Sequence, residues 1–94
     1  MNRAIITVVG KDTVGIIAKV CTYLADQSIN ILDISQTIVD GFFNMMMIVD
    51  ISVLEEKKIS FHTLAENLER IGKEEIGVQI KCQKEEIFEE MHRI

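Results

Sequence analysis

The sequence predicts a single α+β domain with the element order β-α-β-β-α-β, and three observations carry that prediction. Runs of aliphatic and β-branched residues at 4–9, 29–39, 42–53 and 78–83 read as strands. Two stretches of apolar residues at helical spacing, one after Gly15 and one after Ser60, fall between the first and second and the third and fourth runs. Asp40-Gly41 joins the two middle runs, and an Asp-Gly pair suits a type I′ turn, whose central residues both need positive φ.

Each element follows from its own pattern. In the first strand, Ala4, Ile6 and Val8 share one face and Ile5, Thr7 and Val9 the other, and Gly10 closes the run. In the first helix, Ile17, Val20, Cys21 and Leu24 form the apolar stripe, with Asp12 or Thr13 as the expected N-cap. The second strand has mixed parity: Ile29 and Ile31 alternate one way, Leu32, Ile34 and Ile38 the other. A bulge near Ile31 or an edge position explains that. In the third strand the odd positions Phe43 to Val53 are uniformly apolar and mark the core face, while Phe42, Met46 and Ile48 sit among polar residues on the other.

Glu55-Glu56-Lys57-Lys58 reads as a solvated loop. Ser60 caps a second helix with Phe61, Leu64, Leu68 and Ile71 as its stripe, and Gly72 and Gly77 bracket a fraying end. Val78, Ile80 and Cys82 alternate with Gln79, Lys81 and Gln83 in a strand buried on one side. Residues 84–94 place Ile87, Phe88, Met91 and Ile94 on one stripe of a short C-terminal helix, with acids early and Arg93 late. Right-handed crossovers fold this order into a ferredoxin-like sandwich, a four-stranded antiparallel sheet with two helices on one face. The other face then shows Ile5, Thr7, Val9, Phe42, Met46 and Ile48 beside Gln79 and Lys81. That patch calls for cover, from the C-terminal helix or from a second subunit, so a homodimer or larger homo-oligomer is expected.

Composition narrows the function. Ninety-four residues suit one domain with a single core. Aromatic residues make up only 5% and the net charge is −5, which disfavours stacking on bases and the phosphate contacts that nucleic-acid binding needs. Cys21 and Cys82 have no C-x-x-C spacing and read as reduced, packed thiols. The N-terminus lacks a basic start and a long apolar run, and no apolar stretch reaches the roughly 20 residues of a membrane span; the expected compartment is the cytoplasm. His62 and His92 have no carboxylate spaced for shared ligation, so no metal or cofactor is expected, and no catalytic residue stands out. An acylphosphatase-like hydrolase would have only Lys11 and Asn44 to work with and lacks the arginine that cradles phosphate.

The segment Gly10-Lys11-Asp12-Thr13-Val14-Gly15, between strand and helix, is the one stretch built for more than packing. Val8-Val9-Gly10, the polar loop, Gly15-Ile16-Ile17, the spacing to Leu24, Ile29-Asn30-Ile31 and Asp33-Ile34, and the long hairpin return together resemble the ACT domain. That family is the small ligand-sensing module of amino-acid metabolic enzymes and regulators. The resemblance covers nearly the whole chain and is similar in detail to short stand-alone ACT proteins and to the paired units of the glycine-cleavage repressor type. It implies that an amino acid or related effector binds where Gly10, Lys11, Asp12, Thr13, Val14 and Gly15 of one subunit meet Asn30 and Ile31 of another. The amides of Val14 and Gly15 would hold a carboxylate, Asp12 or Asp33 an ammonium group, and Asn30 would donate and accept. Each residue also has a plainer role, with Gly10 as a turn residue, Asp12 as a cap and Asn30 bonding its own backbone. No catalytic or DNA-binding domain accompanies the segment, so regulation would act through a protein partner or assembly state. An oligomeric interaction module without a ligand is the alternative.

Overall fold

A computed structural model describes residues 2–11 and 13–91, with the side chain of Met91 excepted; Met1, Asp12, His92, Arg93 and Ile94 lie outside the described residues. Strand β1 (Arg3–Lys11) runs through the middle, antiparallel to β3 (Phe42–Asp50) on one side and β4 (Val78–Lys84) on the other. Strand β2 (Asn30–Val39) pairs antiparallel with β3 at the far edge, giving the order β2-β3-β1-β4. This is the ferredoxin-like arrangement expected from the pattern.

Alternation places Ala4, Ile6 and Val8 of β1, the odd residues Phe43 to Val49 of β3, and Val78 and Ile80 of β4 on one buried face. Helix α1 (Ile16–Asp26) packs on it through Ile16, Val20 and Leu24, which recur every four residues along one stripe. Ile17, expected in that stripe, is 38% exposed instead. The helix starts at Ile16, so the i, i+4 row from that residue faces the sheet and turns Ile17 toward its edge. Helix α3 (Phe61–Ile71) buries Leu64, Leu68 and Ile71 as expected. Ser60 caps it, its hydroxyl accepting from the Thr63 N–H at 3.1 Å. Phe61 is half-buried, with the Lys84 ammonium 5.6 Å above its ring.

Both expected irregularities are present. The β2–β3 register shifts between Ile31 and Asp33, leaving Leu32 as the extra residue of a bulge on an edge strand. Asp40 (φ 51°) and Gly41 (φ 83°) form the hairpin turn with the positive φ values of a type I′ pair.

Two expectations fail. Strand β3 stops at Asp50, and residues 53–57, read as strand and solvated loop, form helix α2 (Val53–Lys57) with Leu54 buried. Asp50 turns the chain: its carboxylate accepts from the Ser52 N–H at 2.9 Å, and this backbone bond, followed by the Ser52 hydroxyl, holds the carboxyl below its ordinary range. A five-residue helix shows too little periodicity to announce itself. Residues 72–77 do not fray: α3 continues into a π-helical turn, Gly72–Ile76, closed by the Gly77 N–H donating to the Gly72 carbonyl at 2.7 Å. The short C-terminal helix is present as α4 (Glu85–Met91), with Ile87 half exposed. Helix α4 packs on β1 and β4, and Glu85 pairs with Arg3. At that end of the sheet's second face Ile5 is only 7% exposed, whereas Val9, Phe42 and Met46 at the other end remain open.

Candidate functional site

The loop after β1 divides into residues that pack and residues that stand free. Gly10 and Lys11 still belong to β1, opposite Phe43 and Phe42, so Gly10 neither closes the strand nor makes a turn. A β-carbon on Gly10 would sit 2.7 Å from Val78 Cγ1 and 3.0 Å from Val78 Cα, so its bare backbone is what lets β4 come alongside. Thr13 and Val14 are exposed. Gly15 is the N-cap of α1 in the left-handed region, φ 92°, with nothing within 4 Å of the space a side chain would take.

That arrangement shifts the expected anion donors. Neither Thr13 nor Val14 occupies the cap position; Asp12, the other expected cap, lies outside the described residues. The amides that open the helix are those of Ile16, Ile17 and Ala18, because the first intrahelical bond is from the Lys19 N–H to the Gly15 carbonyl at 2.9 Å. A glycine cap has no side chain to occupy those first-turn donors. They border a groove of about 290 Å³ between α1 and the edge strand, lined by Thr13, Gly15, Ile16, Ile17, Ala18, Gln36, Ile38 and Phe43.

Gln36, Ile38 and Phe43 were not candidates from the sequence. The signal that finds them is the parity of β2 beyond the bulge, which turns Ile34, Gln36 and Ile38 to the helix side, opposite Met47, Met45 and Phe43. Asn30 and Ile31 lie at the other end of β2: Asn30 is opposite Asp50, which is opposite Arg3, whereas Val39 is opposite Phe42, which is opposite Lys11. Eight steps of paired strand, roughly 26 Å, separate the two ends. Within one chain, therefore, Gly10, Lys11, Thr13, Val14 and Gly15 lie at one end of the sheet and Asn30 and Ile31 at the other. Asp33 faces the sheet's other side, opposite Ile48, and accepts from the Ile34 N–H at 2.8 Å.

A second cavity, about 270 Å³, lies at the far end of the sheet between the chain start, α2 and α4. Two pairs of its rim polar groups engage one another: Arg3 with Glu85, and the Asn2 side-chain N–H with the Glu55 carboxylate at 3.2 Å. Neither thiol is poised to react. Burial pushes Cys82 up to about 12 and also raises Cys21, so both stay protonated at neutral pH.

A family model described as ACT domain matches residues 2–83. The chain is 62% identical, over the full length of both, to the UPF0237 protein of Bifidobacterium longum. It superposes on the ACT domain protein from Streptococcus pneumoniae with a TM-score of 0.79 at 42% identity, covering 94% of each chain. The regulatory subunit of aspartate kinase from Thermus thermophilus matches with a TM-score of 0.61 at 27% identity, over 87% of this chain and 50% of that one. With sequence match, whole-length relatives and sheet order in agreement, the chain belongs to the ACT domain family, whose members are regulatory ligand-binding modules.

Proposed function

We propose that this chain is a regulatory module that binds a free amino acid or similar small carboxylate in the Gly15 groove, at an interface between two copies, and works in the cytoplasm. The observation that carries the reading is Gly15 itself: a left-handed N-cap with open space around it, beside first-turn amides that no glycine side chain can cover. Such a helix start attracts a carboxylate through both its N–H groups and the helix dipole. Lys11, exposed at the end of β1, adds positive charge nearby.

Geometry also supports the second copy. Asn30 and Ile31 reach a Gly15 loop only if they come from another chain, and β2 is an exposed edge with unpaired backbone groups. Antiparallel pairing of two β2 strands about a two-fold axis at Ser35 sets Ile34 opposite Gln36 and Asp33 opposite Thr37. With Leu32 left in its bulge, Ile31 then falls opposite Ile38 and Asn30 opposite Val39, with matching faces throughout. The partner subunit's Ile31 then borders the groove. An interaction module without a ligand is the second reading, favoured by exposed Val14, Ile38, Val39 and Phe42 around the hairpin tip.

Thermal denaturation against the standard amino acids tests the first reading. A ligand at about 100 times its Kd stabilises the folded state by about 2.7 kcal/mol, which for a domain of this size raises Tm by roughly 10–20 °C. If none of them moves the melting point at millimolar concentration, the ligand-binding reading fails and the interaction module takes its place.

A further inference from the structure

We infer that the Gly15 groove selects amino acids with an uncharged aliphatic side chain of the size of valine, leucine or isoleucine. The inference rests on the reading of this groove as an amino-acid site and names what occupies its side-chain end. The groove between helix α1 and the edge strand is lined by Ile17, Ile38 and Phe43, with Ile16 and Ala18 beside them. Ile17 and Ile38 are 38% and 59% exposed, and Phe43 closes the floor at 3%.

Among the described residues, the polar side chains lining the groove are neutral, the Thr13 hydroxyl and the Gln36 amide. An aliphatic side chain laid between Ile17 and Ile38 removes both from water along with itself, which is favourable in proportion to the apolar area covered. A carboxylate or ammonium on the ligand's side chain would lose its hydration against Ile17, Ile38 and Phe43, which offer it no hydrogen bond. In the two-copy arrangement the partner subunit's Ile31 joins the same wall. A volume of about 290 Å³ lies just below the ~300–1,000 Å³ typical of small-molecule sites, which suits a compact branched chain.

Calorimetric titration of the full chain with leucine, isoleucine and valine, and with alanine, serine, aspartate and lysine, tests this. At least one branched aliphatic amino acid should bind ten-fold or more tighter than alanine, since each methylene in an apolar pocket is worth roughly 10–200-fold. Aspartate and lysine should be weaker still. Ile38→Asp, at an exposed edge position, should weaken the best aliphatic ligand at least ten-fold, and Ile17→Ser serves as a second variant should the first fail to fold. If serine, aspartate or lysine binds tightest, the selectivity is overturned while the amino-acid site stands. If an aliphatic ligand binds and neither variant weakens it, the ligand sits elsewhere and the groove assignment falls as well. If no amino acid binds, the underlying reading fails and this inference with it.

Discussion

A β-carbon on Gly72 would lie 2.7 Å from the Val78 carbonyl oxygen and 2.7 Å from Ile80 Cγ1. The first of these is backbone and cannot swing away, so the π-helical turn rests directly on β4 only because residue 72 has no side chain. Gly72→Ala gains about 1 kcal/mol of helix propensity but meets an overpacking cost of about 1–3 kcal/mol. We expect net destabilisation, read as a lower urea midpoint with unchanged m-value. Cys82 behaves differently. Its folded pKa of about 12 stands above the reference value of 9.0, so the folded state holds its proton more tightly than the unfolded state. Its contribution is fully present below pH 9 and is lost as pH rises toward 12. By pH 12 that loss amounts to roughly 4 kcal/mol. Cys82→Ala should therefore flatten the alkaline fall in stability between those limits. At this scale the sequence marks Gly10 and Gly15 alike as loop glycines. Only the approach of Val78, from a strand far along the chain, separates the packing glycine from the conformational one.

Strand β2 is the element with the least cover. All of it but the half-buried Ile31 is exposed, and it carries neither Pro nor Lys nor Arg, the residues that commonly blunt an edge against pairing. If two copies pair about Ser35, a charge there meets its own symmetry mate, and like charges directly opposite oppose pairing. Ser35→Lys should leave the fold intact, since the residue is exposed, and light scattering should show a mass of one chain where the unmodified protein shows two. A dimer that survives the substitution would remove this interface. The bulge at Leu32 was legible because parity changes within the strand, and the hairpin because Asp-Gly is a local signal. Helix α2 was not legible: Leu54 is its one buried residue, and one apolar residue sets no period.

Across the whole molecule, the sheet's second face is divided. Ile5 is buried at the end where α4 packs on β1 and β4, and Val9, Phe42 and Met46 stay open toward the end that also carries the Gly15 loop and the hairpin tip. Loop, edge strand and uncovered sheet thus gather where a second copy would bring the partner subunit's Asn30 and Ile31. In that arrangement Ser35→Lys removes the amino-acid response in the melting curve along with the dimer mass. Loss of one without the other would uncouple the site from the interface. The sequence by itself determined the order of the four strands and of the helices α1, α3 and α4, the faces of the strands, the bulge, the hairpin and the family. All of these depend on periodicity and spacing between near neighbours in the chain. Tertiary structure alone decided that Gly10 packs against Val78, that Ile17 turns to a groove with Gln36 and Ile38, and that Ile5 is buried while Val9 on the same face stays open. Those are distances between residues remote in sequence, set by how closely helices and strands approach, and no local pattern encodes them.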